Sequence, residues 1–256
     1  MFKFILAASL IAAVFQSKAE TIVLTENNSV LFNQPVSQEY TATKTLEILA
    51  KASKTSPIYL VLDTPGGSVV SGLQFIDAIK ASGATVHTVT IFAASMGYQI
   101  VQELGKRYII ESGTLMSHRG SVSGMSGQIP GELTSRIQFL QSLLDGMSER
   151  AAKRISMNKA DYDAAIVNEL WSYGKNAVNT NQADEVADVK CSKELLSGSY
   201  KQQVRTLFGP VELTYSKCPI ISSPISMEFG NQIKLEQIEK IKQELFNSRR
   251  RGFLTL

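Results

Sequence analysis

The sequence is poor in the residues that build metal centres. Its 256 residues contain only two cysteines, two histidines and one tryptophan. No paired Cys/His spacing is present, which argues against a zinc site. A formal charge of +3 is too small to point to nucleic acid, and no basic stripe interleaved with aromatics appears. There are no internal repeats and no low-complexity tract. The one sustained apolar run, Phe4–Phe15, is too short for a comfortable membrane span. What remains is ordinary: 44% hydrophobic and 19% charged residues, enough for a sizeable core in one or two domains.

The first residues have the pattern of an export leader. A short basic start, Met1-Phe-Lys3, precedes the apolar run, and Ser17-Lys-Ala19 places small residues where a signal peptidase reads. Cleavage after Ala19 is expected, giving a periplasmic or secreted protein that begins near Glu20; an uncleaved anchor is the alternative. In an oxidising compartment Cys191 and Cys218 can form a disulfide. Two buried thiols are the other reading.

Beyond the leader, apolar runs alternate with helical patterns. Ile22–Leu24 and Val30–Phe32 suit short strands around a turn at Glu26–Asn28. Gln38–Ala52 suits a helix. Pro57–Leu62 has the continuous apolar character of a buried strand. Val69–Ala81 carries Val69, Leu73, Ile76 and Ile79 at helical spacing, with Gly83 as a stop. Thr85–Ile91 is the next strand and Ser95–Leu104 the next helix. Arg107–Ile110 and Thr114–Ser117 are expected as two strands flanking a turn at Ser112-Gly113. Such alternation predicts a parallel sheet with covering helices, with active residues beyond the carboxyl ends of its strands. A Gly/Ser-rich loop, Gly120–Gly131, leads to a long helix from Glu132 to about Ser156. Its apolar residues recur in alternating steps of four and three. That is a narrow seam, suited either to another helix, including one from a second subunit, or to the chain's own sheet. Cys191–Pro224 is rich in Ser, Lys and turn residues. Gln232–Phe246 has the pattern of an amphipathic helix, ending near the basic Arg249-Arg-Arg251. It suits either a solvated helix with one buried face or one resting on anionic lipid.

The chemistry concentrates in three short segments. Asp63-Thr-Pro-Gly-Gly-Ser68 ends one apolar run, Ala93-Ala-Ser-Met-Gly97 ends another, and Met116-Ser-His-Arg-Gly120 closes a third. Ser95 stands where a strand gives way to a helix. A serine there commonly serves as an N-cap. It is also well placed as a nucleophile, since small neighbours let a substrate backbone approach and the helix dipole favours negative charge. Gly66-Gly67 can be a plain tight turn, or can aim an N–H at a carbonyl oxygen. Together with the N–H of Met96, Gly67 would form a two-donor oxyanion hole. Histidine is the side chain suited to accept a serine proton near neutral pH, which makes His118 the candidate base. His87, mid-strand, is assigned a structural role. Acyl transfer by these groups requires no cofactor or metal.

These segments resemble the proteolytic subunit of the Clp protease. That family carries serine-proline-glycine-glycine, alanine-serine-methionine-glycine and methionine-isoleucine-histidine in the same order. Gly105-Lys-Arg-Tyr108 and Gly127-Gln128 add to the match, and the resemblance runs from about Ile22 to Val189. It implies an α/β fold, the spiral of ββα units shared with the crotonase superfamily, with a protruding long helix. It also implies a Ser-His-acid triad, with Ser95 as nucleophile and His118 as base. The family's aspartate position falls on Glu169; Asn168 and Asp163 are the alternatives in a shifted register. The long helix, 132–156, would be the family's handle, through which rings of identical subunits pair. On this basis residues 1–19 are a signal peptide, 20–189 the peptidase domain and 190–256 a C-terminal extension that the family does not account for.

The leader sets the chain apart from relatives that work in the cytosol with an ATP-driven unfoldase. The expectation is ATP-independent cleavage of peptides or already unfolded chains. Three further readings stay open. One is a membrane-linked signal-peptide-peptidase type with a Ser-Lys dyad, for which Lys153 is the candidate base. Another is a catalytically silent scaffold, suggested by glutamate in place of aspartate. The third is a crotonase-type acyl-CoA enzyme, which has no need of a serine at the helix start.

Overall fold

A parallel sheet is buried on both faces and therefore needs strands that are apolar on both sides. In a computed structural model, which describes residues 19–230 and 237–243, the apolar runs form such a sheet. Residues 1–18 and Arg249–Arg251 lie outside the described residues. Strand β1 (Thr21–Leu24) turns into β2 (Ser29–Phe32), followed by helix α1 (Gln38–Ala52), β3 (Ile58–Thr64), α2 (Val69–Ala81), β4 (Val86–Ala94), α3 (Met96–Glu103) and β5 (Arg107–Ser117). The long α4 (Glu132–Arg154) and short α5 (Lys159–Ala165) lead through a 3-10 turn to β6 (Leu170–Tyr173), α6 (Gly174–Asn179), β7 (Glu185–Val186) and β8 (Asp188–Cys191). The chain continues with α7 (Lys193–Ser197), β9 (Ser199–Thr206), β10 (Gly209–Ser216) and β11 (Ser226–Phe229).

The central sheet runs β2-β3-β4-β5-β6, with β2 to β5 parallel and β6 antiparallel to the second half of β5. β7 pairs instead with Tyr108 and Ile109 at the start of β5. The expected turn at Ser112-Gly113 is therefore corrected: β5 is one continuous strand. Its partner on one side changes from β7 to β6, and the register with β4 slips between Thr90 and Phe92. The glycine marks this irregular stretch of β5, between Ile109 and Thr114, where the pairing with β4 shifts.

One face of the sheet packs against the helices. Leu60, Leu62, Ile109 and Leu115 meet Ile48, Phe75, Ile76, Ile100 and Ala151 in the larger core. On the opposite face a smaller core joins Val61, Val89 and Tyr108 to Ile22 and Leu24 of β1, which pairs with β8, and to Leu195 and Cys218 from beyond the sheet. Cys191 and Cys218 form a disulfide across 27 positions, with Cα atoms 5.8 Å apart. The Cys191–Pro224 segment is more ordered than its composition suggests. β9, β10 and β11 form an antiparallel sheet, in which Val211, Leu213 and Tyr215 of β10 point inward at every second position. β9 is exposed along most of its length and polar in sequence, so it carries no burial pattern to read. Residues 237–243 are helical, and Ile241 is fully buried against β10.

The seam of α4 is buried only at its C-terminal end, where Ala151 and Ala152 meet the core. Its first half stands clear, with Ile137 and Phe139 exposed.

Candidate functional site

Three adjacent parallel strands end at the same edge of the sheet, and each delivers one of the segments singled out by sequence. Asp63 and Thr64 pair with Phe92 and Ala93, and Ala94 pairs with Met116. The register thus brings Ser95, one residue past Ala94, close to His118, two residues past Met116. The Ser95 N–H donates to the Met116 carbonyl at 2.9 Å, holding the two chain exits together. His118 Nε2 lies 2.8 Å from Ser95 Oγ, and both residues are half-buried.

The alternative reading of Ser95 as a helix cap can be checked directly. Ser37 and Ser68 cap α1 and α2 through side-chain oxygens that accept from Tyr40 and Ser71 N–H groups. Ser95 makes no such bond to α3. Its backbone is in a left-handed conformation, φ 56° and ψ −119°, which costs a non-glycine residue about 1–3 kcal/mol. The strained turn points the hydroxyl at imidazole and leaves the first N–H groups of α3 without side-chain partners.

The glycine turn is fixed by a neighbouring loop. Gly66 O accepts from Val36 N–H, Ser68 N–H donates to Val36 O, both at 2.8 Å, and Gly66 N–H donates to Thr64 Oγ1 at 3.2 Å. Gly67 N–H, lying between these bonds, has no acceptor among the described contacts. Gly66 backs directly onto the serine: a Cβ there would lie 2.7 Å from both Met96 N and Ser95 Cβ, at φ +88°. Only glycine allows turn and helix start to approach so closely. Thr64 and Val36 were not legible as site residues. Nothing in Asn33–Ser37 marks it as the loop that clamps the turn.

The acid candidates fare differently. Glu169 lies at φ 64° just before β6, one residue beyond the last β5–β6 pair, in which Ser117 faces Leu170, as does His118 on the other strand. Its carboxylate, however, accepts from the Trp171 indole N–H at 2.9 Å and makes no hydrogen bond to His118 among the described contacts. Asp163 is ion-paired to Lys159 at 2.7 Å, and Asn168 makes no described bond to the imidazole. Lys153 is exposed in the last turn of α4 and is not bonded to Ser95. His87 accepts from Lys106 N–H through Nδ1 at 3.1 Å, and burial lowers its pKa. It clusters with the rings of Tyr59 and Tyr108, away from Ser95. Sequence reading missed two supports of the site: the Trp171 indole and Tyr162, whose buried hydroxyl shares a 2.7 Å hydrogen bond with Ser117 next to His118. Burial pushes the Tyr162 phenol up to about 12, so it stays protonated.

Residues 16–190 match the family model of the Clp protease. The chain belongs to the Clp protease family. Among similar proteins are ATP-dependent Clp protease proteolytic subunit 1 of Prochlorococcus marinus, 29% identical over 143 residues, which cover 54% of this chain and 71% of that protein. The subunit of the same name from Leifsonia xyli is 28% identical over 152 residues, 57% of this chain and 75% of that one. That of Chlamydia muridarum is 34% identical over 111 residues, 41% and 58% respectively. Membership implies a peptidase, and the α/β architecture with its parallel sheet is that of the family. The match ends immediately before Cys191, so the disulfide joins the last residue of β8 to a segment beyond the matched region.

Proposed function

We propose that the protein is an exported serine peptidase that hydrolyses peptide bonds without ATP. The observation that carries this reading is the 2.8 Å contact between Ser95 Oγ and His118 Nε2 at an uncapped helix start. In the mechanism, Ser95 Oγ attacks the scissile carbonyl while His118 Nε2 takes its proton, then returns it to the leaving amine. The N–H groups of Gly67 and Met96 hold the oxyanion. Water then releases the acyl group by the same steps in reverse. Glu169 is the acid that stabilises the imidazolium.

Export is supported by the leader pattern, by the disulfide and by Glu20. Its backbone nitrogen donates to Glu185 Oε1 at 2.9 Å, so cleavage after Ala19 would turn this bond into an ammonium–carboxylate pair. The Glu20 side chain is held in turn by Lys106, at 2.7 Å, and by the Tyr108 hydroxyl. A leader-processed chain is thus already anchored at its first residue. The curated relatives are named ATP-dependent; an exported protein meets little ATP, hence substrates that are short or already unfolded. Assembly into a homo-oligomer through the 132–156 helix is supported by the apolar side chains that its free half presents, Phe139 at 61% exposure and Ile137, with Ile129 just before it. Residues 190–256 act as an extension fastened to the peptidase domain by Cys191–Cys218.

The test is to incubate mature protein with a reduced, alkylated reporter chain in the absence of nucleotide. Fragmentation that stops in Ser95→Ala supports the proposal. Equal behaviour of wild type and Ser95→Ala would mean a silent scaffold. Retained cleavage in His118→Ala would favour a lysine base.

A further inference from the structure

Glu169 and His118 each lie one residue beyond the last β5–β6 pair, Ser117 with Leu170, yet the Glu169 carboxylate is bonded elsewhere. β6 begins at Leu170, with Trp171 opposite Met116 and Leu170 opposite Ser117. The left-handed backbone at Glu169 turns its carboxylate back along its own strand, onto the indole N–H at 2.9 Å. The indole nitrogen is a donor only and Glu169 Oε2 is its acceptor. The nucleophile and base are already joined, so of the three proposed catalytic groups only the acid is displaced.

We infer that Trp171 is a positioning residue that latches Glu169 away from His118 in the resting site. The inference rests on the serine-peptidase reading above and adds to it a residue with no place in the Ser-His-acid scheme. The physical basis is a competition between two N–H donors for one carboxylate. Against a neutral imidazole, the neutral indole competes on even terms, and the left-handed turn decides for the indole. Once His118 has taken the serine proton, the competitor is an imidazolium. A charge-assisted hydrogen bond is roughly twice as strong as a neutral one, and the carboxylate transfers. The acid is thereby engaged when positive charge develops on His118 and released when the proton departs to the leaving amine. Glutamate suits this role because its extra methylene, relative to aspartate, gives the carboxylate a longer reach from one backbone position.

Trp171 is the only tryptophan in the chain, so its emission reports on the latch without labelling. Two measurements on the full mature protein test the inference. In peptide hydrolysis, Trp171→Phe raises kcat by at least about threefold with KM little changed, because the carboxylate no longer has to leave a hydrogen-bonded partner. Glu169→Ala lowers kcat, and Trp171→Phe added to Glu169→Ala gives no gain, since the two residues act through one contact. A fall in kcat for Trp171→Phe, or an equal effect of that substitution in both backgrounds, overturns the latch. Emission supplies a reading independent of how Trp171→Phe folds. Glu169→Ala shifts the Trp171 emission, whereas His118→Ala leaves it unchanged, because the resting carboxylate sits on the indole. An equal shift in His118→Ala would place the carboxylate between the two rings and overturn the inference. Loss of fluorophosphonate labelling at wild-type Ser95 would sink the peptidase reading itself. Labelling that persists while the double substitution behaves additively sinks only the latch.

Discussion

Adding one methyl group at Gly66 should do more damage than its size suggests, and a second glycine provides the control. Gly66 and Gly83 both have left-handed φ, +88° and +72°, so alanine at either costs roughly 1–2 kcal/mol of backbone energy. Around Gly83, after α2, nothing lies within 4 Å of the new Cβ. At Gly66 the Cβ meets Met96 N and Ser95 Cβ at 2.7 Å, well inside ordinary van der Waals contact. The backbone of the α3 start must move, adding about 1–3 kcal/mol of overpacking. For a chain of this size 1 kcal/mol corresponds to roughly 2–4 °C in Tm. Gly83→Ala should then melt a few degrees low with kcat unchanged. Gly66→Ala should melt lower still and lose about 10²–10³ in kcat, the typical cost of one oxyanion donor, as Met96 N–H is pushed out of place. Thermal unfolding and peptide hydrolysis on the two variants decide the matter. If Gly66→Ala retains the kcat of Gly83→Ala, the glycine turn and the α3 start do not jointly form the oxyanion site.

Other consequences can be measured separately. Reduction of Cys191–Cys218, or Cys218→Ser, should lower stability by about 3.5 kcal/mol on the chain-entropy estimate for a loop of 27 positions; identical melting with and without reductant would contradict this. Burial opposes ionisation of Asp184, but hydrogen bonds from the Arg107 side chain and backbone, with the Arg107 and Arg154 charges, outweigh it and hold the carboxyl below its usual range. A depressed folded-state pKa gives stability that is present above the unfolded value, near 3.9, and is lost as pH falls through the folded one. Acid unfolding should therefore be less steep in Asp184→Asn, which is checked by denaturant titrations between neutral pH and about pH 3. In mature protein, Glu185→Gln should bring the α-amino pKa down toward its ordinary value of about 7.7–8.0, read from the pH dependence of amine labelling; an unchanged value would mean that Glu185 does not receive the new N-terminus.

The parallel sheet was legible because continuous apolar runs bounded by Pro-Gly-Gly, by Ser-Met-Gly and by glycine stops have few other solutions. Helices 38–52 and 69–81 followed from spacing, with Gly83 as the stop of the second. Ser95, His118 and the glycine pair were singled out because each sits immediately after such a run, where a strand must end. Legibility failed where long-range pairing decides the outcome. Ser112-Gly113 resembled a turn because the exchange of β7 for β6 beside β5 leaves no trace in local composition. β9 is polar and solvent-facing, so its pairing with β10 was hidden. Glu169 was placed by register with the family, and in the structure it lies one residue before β6, next to the Ser117–Leu170 pair. The orientation of its carboxylate depends on a left-handed φ and an indole two residues on, which spacing does not encode.

The central claim is that Ser95 is a nucleophile activated by His118, and covalent labelling measures this most directly. Mature protein treated with a fluorophosphonate and mapped by peptide mass should carry the adduct on Ser95 alone. The rate should fall by about 10²–10⁴ in His118→Ala, with no adduct in Ser95→Ala. An adduct on another residue, or none on folded wild-type protein, would contradict the account.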